Sequence, residues 1–393
     1  MKVRACAVVA AGVLGAAAVL SACGSSPTST PSTSSTGATT AYRWGVVGNK
    51  GKVTQLERST PIAVRGINGT IVQIATSNSD GYALTSAGQV WGWGVNSYGE
   101  LGDGQTSPYD TSAVEVDFPA GVRITALANP MPFDAGLAID STGRAWGWGL
   151  NGENDLCLSG LVVTHPEQVP LSDVALATGA RTHALFSSHG TVYACGAGDA
   201  GELGNGSTNA SAAPTPVVGL PPGEGVTALT SSWEGSGALL ANGSYYNWGY
   251  NAAGQLGDGT TTDSAVPVKV DLPDAVTQVF QGGSSANNGQ TIAMLSDGSV
   301  WTWGANSMGQ LGIDTRVQST TPVKVHVPPG VSFVKVSSGG YTSYAIDRSG
   351  RLWAWGGNGE GQLGTGSGKR VETLPVDVGL SLTQVSSTAS NVA

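Results

Sequence analysis

Short apolar runs and tight turns alternate along this chain in a fixed order. In one unit Val226–Leu229 leads through a polar loop to Ala238–Leu240. An Asn-Gly turn follows, then Tyr245–Trp248, which ends in Trp-Gly, and then a Gly-rich loop. Apolar runs this short, bounded by Gly, Asn and Asp, read as β-strands rather than helices. Asn-Gly or Asp-Gly between two such runs reads as a hairpin turn. The chain is therefore predicted to be all-β.

The order repeats. VWGWGVNSYGELGDG (90–104), AWGWGLNGENDLCLSG (145–160), VYACGAGDAGELGNG (192–206), YNWGYNAAGQLGDG (246–259), VWTWGANSMGQLGID (300–314) and LWAWGGNGEGQLGTG (352–366) stack beneath one another, and a worn copy starts at Ala41-Tyr-Arg-Trp-Gly45. The glycines closing these pairs, or their equivalents, are Gly45, Gly94, Gly149, Gly196, Gly249, Gly304 and Gly356, spaced 47–55 residues apart. A unit of this size makes one small antiparallel sheet that cannot bury its apolar face alone. Radial stacking buries those faces and leaves only short edges. The spacing thus predicts a seven-bladed β-propeller over residues 41–393, with four antiparallel strands per blade. Val385–Ala393 aligns with the first strand of the last copy, while Ala41–Gly45 is a second strand without a first. The two ends are predicted to pair within one blade and close the ring.

Ahead of the repeats, Lys2 and Arg4 precede an apolar run from Ala5 to Leu20, which ends in Leu20-Ser-Ala-Cys23. A basic start, a short apolar run and small residues mark a secretion signal, and a run of 16 residues is short for a membrane span of about 20. The ending resembles the bacterial lipobox, which implies cleavage of residues 1–22 and a diacylglyceryl group on the Cys23 thiol. Residues 24–40 are almost wholly Ser, Thr, Pro, Gly and Ala, so 23–40 reads as a lipidated tether. The expectation is a monomer outside the cytoplasm, held at the cell membrane by lipid.

Loss of residues 1–22 would leave 16 basic and 27 acidic side chains, a net charge of −11. That balance argues against nucleic acid as a partner, because phosphate binding needs clustered Lys and Arg. No metal or cofactor signature stands out: His165, His183, His189 and His326 lie without metal-ligand spacing, and the Gly-Gln-Leu-Gly loops lack the Lys-Ser or Lys-Thr of a phosphate loop. No catalytic constellation is visible. In the repeat register Cys157 replaces a loop Gly and Cys195 replaces the Trp of the next unit. They are read either as a disulfide, which export would permit, or as two buried thiols.

Ten of the eleven tryptophans stand in the strands that end in Trp-Gly and read as blade-to-blade packing. Trp233 is outside that pattern. Strand parity places it on one face of the ring with Met131, Phe133, Tyr98, Tyr250 and Tyr341, a set read as a partner-binding surface on rigid loops. The expected function is binding a protein or a cell-envelope polymer through this face. The alternative is an enzyme acting on, or a protein binding, envelope polysaccharide.

Taken together, Trp-Gly-x-Asn-x-x-Gly-Gln-Leu-Gly-x-Gly with a later Pro-x-x-Val resembles the regulator of chromosome condensation repeat over residues 41–393. The resemblance implies a seven-bladed propeller whose ends share a blade. Where that family carries a His between the first two strands, this chain reads Asp80, Asp134, Thr182 and Thr342, with glycines near Gly235 and Gly289.

Overall fold

A computed structural model describes residues 5–8, 19–22, 41–45, 58–77, 80–128, 130–283, 288–359 and 361–381. Cys23, the tether and Val385–Ala393 lie outside the described residues. Among the described residues six four-stranded antiparallel sheets follow one another, each hydrogen-bonded in chain order. Blade 1 comprises Ile71–Thr76, Asp80–Thr85, Val90–Asn96 and Ser107–Glu115. Blade 2 comprises Ile124–Leu127, Ala135–Asp140, Ala145–Leu150 and Val162–Gln168. Blade 3 runs from Val174–Gly179 through His183–Ser188 and Thr191–Gly196 to Ser211–Pro216. Blade 4 contains Val226–Ser231, Gly235–Leu240, Tyr245–Gly249 and Ser264–Lys269. Blade 5 contains Val276–Gly282, Gln290–Leu295, Val300–Gly304 and Ser319–Lys324. Blade 6 is formed by Phe333–Ser338, Thr342–Asp347, Arg351–Gly357 and Val371–Ser381.

The expectation of seven four-stranded blades is corrected by this count. Among the described residues the worn copy forms only a two-stranded sheet, Tyr42–Gly45 with Arg58–Ala63. A second two-stranded sheet, Ala5–Val8 with Val19–Ala22, lies beside Tyr42–Gly45 and beside the last strand of blade 6. The Trp-Gly of the worn copy stands where third strands stand in the other units, so Tyr42–Gly45 and Arg58–Ala63 supply a third and a fourth strand, and no first or second strand of that unit stands among the described residues.

Burial explains the strand sequences. The second strand is buried at every residue in all six blades, and neighbouring sheets pack against it. These strands accordingly read as nearly continuous small and apolar runs. One core cluster joins Tyr82 and Leu84 of blade 1 to Leu137 of blade 2 and Phe186 of blade 3, and others join blades 3 to 4, 4 to 5 and 5 to 6. Fourth strands form the exposed outer edge.

Each letter of the repeat has a structural role. Pairing between the third and fourth strands slips in all six blades, at the Trp-Gly step in five and at Cys195-Gly196 in blade 3. The closing glycine of this bulge takes a left-handed φ, from 98° at Gly304 to 126° at Gly94, which side-chain-bearing residues rarely adopt. The Asn two residues later braces the following loop: Asn96, Asn151, Asn251, Asn306 and Asn358 each accept the backbone N–H of the Leu five residues on, at 2.9–3.1 Å. Those leucines, with Leu203, are wholly buried plugs. The residue before the Leu offers its carbonyl to the next blade, where the indole N–H of Trp148, Trp248, Trp303 and Trp355 donates to Glu100, Glu202, Gln255 and Gln310 at 2.8–3.0 Å.

One joint differs. Between blades 2 and 3 the Trp position holds Cys195 and the loop Gly position holds Cys157, and the two are bonded with Cα atoms 5.5 Å apart. Cys157 keeps the positive φ, 54°, of the glycines it replaces. At the other joints a Cβ on Gly102, Gly204, Gly257 or Gly312 would press into the tryptophan indole. Loss of the indole therefore frees the space that the second cysteine occupies.

Candidate functional site

The loops between first and second strands, and those between third and fourth strands, emerge on one face. There three blades bring side chains together. Phe133 of blade 2 and Trp233 of blade 4 meet edge to face, with centroids 6.1 Å apart. The Arg181 guanidinium of blade 3 lies 4.0 Å from the Trp233 centroid and 5.2 Å from that of Phe133. Both rings are half-buried and Arg181 is exposed. A cation over aromatic faces is stabilised by about 0.5–2 kcal/mol, more as water is excluded.

Cross-blade hydrogen bonds hold the three loops. Phe133 donates its N–H to the Ala180 carbonyl at 3.0 Å, Gly179 donates to Pro130 at 3.1 Å, and the Thr182 hydroxyl donates to the Trp233 carbonyl at 2.8 Å. Asp134, next to Phe133, takes a φ of 52° that turns the chain sharply into the second strand. The cluster is therefore preorganised rather than carried on free loops.

The other expected contact residues are dispersed. Met131 is 3% exposed and belongs to the core, where its sulfur accepts the Leu137 N–H at 3.3 Å; its assignment to the surface is corrected, since its backbone N–H is tied to the Thr76 carbonyl of blade 1 at 3.3 Å and its side chain packs in the cluster shared by blades 1 to 3. Tyr98 is 45% exposed on the outer loop of blade 1. Tyr341 is half-buried at the inner turn of blade 6. Tyr250, also half-buried, donates its backbone N–H to the Glu234 carbonyl at 2.9 Å, beside Trp233.

Carboxylates gather beneath this face. Glu100, Asp155 and Glu202 occupy the loop position where blades 4 to 6 carry Gln, and all three are fully buried. Burial pushes each carboxyl up to about 7. One oxygen of Glu100 accepts the Tyr98 N–H, one of Glu202 accepts the Ala200 N–H, and the second oxygen of each has no hydrogen-bond partner. Asp80 is raised well above the usual carboxylate range by burial and by Glu100 and Asp134 nearby. Half-buried Glu234 is raised by burial, then by Asp199, while a hydrogen bond from the Trp233 side chain and, less strongly, Arg181 draw it back.

The second-strand register also corrects the expected His position. The residues facing the closing glycines are Asp80, Ala135, His183, Gly235, Gln290 and Thr342. His183, not Thr182, thus stands there. Its imidazole is buried, which lowers it to about 3, and its Nε2 meets the Ser236 hydroxyl of the next blade at 2.7 Å. Arg181 carries no repeat signature, and only its isolation in an acidic stretch could have drawn attention to it. Among the described residues no three His, Cys, Asp or Glu side chains are arranged to hold a metal ion.

The regulator of chromosome condensation (RCC1) repeat model matches residues 189–239, 242–286, 297–346 and 349–391, and a second RCC1 repeat model matches 333–362. The chain is 29% identical over 337 residues to the ultraviolet-B receptor UVR8 of Arabidopsis thaliana, covering 82% of this chain and 74% of that protein. It is 30% identical over 315 residues to the RCC1 domain-containing protein RUG3, mitochondrial, of the same plant, covering 75% and 67%. Among solved structures it resembles Prp20p of Saccharomyces cerevisiae, described with its binding properties to Gsp1p and histones, at a TM-score of 0.69 and 21% identity over 86% of this chain and 85% of that one. The last likeness shows the fold alone. Repeat model, relatives and geometry agree: the chain belongs to the regulator of chromosome condensation (RCC1) repeat family.

Proposed function

We propose that this propeller is an interaction module that engages a protein partner through the face bearing Phe133, Arg181 and Trp233, and that lipid on Cys23 holds it outside the cytoplasm at the cell membrane. The observation that carries the reading is the convergence of two aromatic rings and an arginine from three blades, locked by cross-blade hydrogen bonds. Aromatic and Arg side chains on rigid supports are the residue types that dominate binding energy at protein interfaces. Prp20p, a propeller of similar fold, has binding properties to Gsp1p and histones; what carries over is protein interaction, not those partners. Anchoring rests on the basic start, the apolar run and the Leu-Ser-Ala-Cys ending.

Capture from a cell-envelope extract with the full chain tests the binding face. A species held by the parent and lost by the Phe133→Ala, Trp233→Ala double variant, with an unchanged melting temperature, is the expected result. Equal capture by both would move the site elsewhere. Membrane fractionation of Cys23→Ser tests the anchor, since retention in the membrane fraction would contradict lipid attachment.

A further inference from the structure

The stretch around Trp233 has an extreme charge distribution. From Thr182 to Val268 the chain has no Lys or Arg, yet it carries Asp199, Glu202, Glu224, Glu234, Asp258 and Asp263. Four of these are brought together by loop hydrogen bonds: Tyr250 donates its N–H to the Glu234 carbonyl at 2.9 Å, its neighbour Asn251 donates its N–H to the Asp263 carboxylate at 2.8 Å, and Ala200, next to Asp199, donates its N–H to Glu202 at 3.0 Å. Gly249 packs between two loops, its missing Cβ lying 3.3 Å from the Glu202 Cα and against the Glu234 carbonyl. Glu234 feels Asp199 first among neighbouring charges and also Asp263, and Tyr250 feels both Asp263 and Glu234.

Beneath them lies Glu202, at 0% exposure, whose free carboxylate oxygen has no hydrogen-bond partner and whose charged neighbours are Asp199 and Glu234. A buried unmatched carboxylate oxygen under three further carboxylates is unfavourable in the free protein, because like charges crowd where water is scarce. The cation acting on Glu234 is Arg181, which is already spread over two aromatic rings. An incoming cation would relieve that crowding.

We propose that Asp199, Glu234 and Asp263, above the buried Glu202, form a seat for a lysine- or arginine-bearing segment of the partner protein. This rests on the interaction reading above and adds the chemistry of the partner. The site selects a basic extended peptide and disfavours an acidic one, and its affinity falls with salt as exposed charge pairs are screened.

The probes are fluorescein-labelled hexalysine and hexaglutamate peptides, titrated against the full chain by fluorescence anisotropy. Hexalysine should bind and hexaglutamate should not. The Glu234→Gln, Asp263→Asn double variant should weaken hexalysine at least tenfold with an unchanged melting temperature. The Asp271→Asn, Asp274→Asn variant removes the same charge from exposed positions on the opposite face and should bind like the parent. No hexalysine binding, or an equal loss in both double variants, would overturn the proposal. Should envelope capture persist in the absence of hexalysine binding, the interaction reading stands and the cationic seat is rejected. Should the seat bind hexalysine as expected while capture ignores Phe133 and Trp233, the seat stands and the aromatic anchor is rejected.

Discussion

Cys157 and Cys195 are bonded across the joint between blades 2 and 3, at the two positions that hold a left-handed Gly and an indole-donating Trp at other joints. The bond spans 38 residues of sequence. A cross-link of that kind stabilises by about 2–4 kcal/mol, largely through the unfolded chain. Cys195→Ser should lose about that much by calorimetry, and Cys157→Gly with Cys195→Trp should recover a large part by rebuilding the tryptophan joint. A double variant as unstable as the single one would show that the two joints are not interchangeable.

At the joint between blades 1 and 2 the Glu100 carbonyl accepts two buried donors, the Trp148 indole at 2.8 Å and the Tyr82 hydroxyl at 2.6 Å. Trp148→Phe leaves one donor in place and should cost about 1–2 kcal/mol. Removing both, with Tyr82→Phe added, strands a buried acceptor. The double variant should therefore lose more than the sum of the singles in urea unfolding; strict additivity would contradict the shared acceptor.

Burial raises Glu100 from 4.5 to about 7. A carboxyl raised in the folded state contributes stability fully below pH 4.5, and that contribution is lost as pH rises through 7. Gln255 and Gln310 fill the equivalent place, each accepting the N–H two residues back at 2.9 Å without titrating. Glu100→Gln should raise stability at pH 8 by on the order of 1 kcal/mol and do little at pH 4.5. An equal effect at both values would show that ionisation is not the cause.

His183 carries the opposite sign. Burial lowers it from 6.5 to about 3, so its contribution is present above pH 6.5 and is lost as pH falls toward 3. Gln290 stands in the same register in blade 5 and likewise reaches the next blade, donating to the Ser338 hydroxyl at 2.9 Å. His183→Gln should reduce the acid sensitivity between pH 6.5 and 4.5 by about 1–3 kcal/mol. An unchanged difference in urea midpoint between those two values would contradict a buried neutral imidazole.

Much of the blade is legible in order of residues alone, because each strand, turn and bulge is decided within about 50 residues and every copy repeats the same constraint. Trp-Gly marks the bulge, and the Asn and Leu of the following loop mark its brace and its plug. The candidate site was half visible: Phe133 and Trp233 stand out as aromatics in loops, whereas Arg181 does not, since a cation–π contact exists only once loops from three blades converge. Met131 reads as surface until its inward turn is seen.

By itself, then, the sequence determined the repeat, the all-β propeller class and the acidic balance, all of which follow from local patterning and composition. Only the tertiary structure decided the number of four-stranded blades, the bond between Cys157 and Cys195, the place of His183 and the union of Arg181 with two rings. Each depends on distances between segments far apart in the chain, and those distances are set by how blades pack rather than by how any one of them is written.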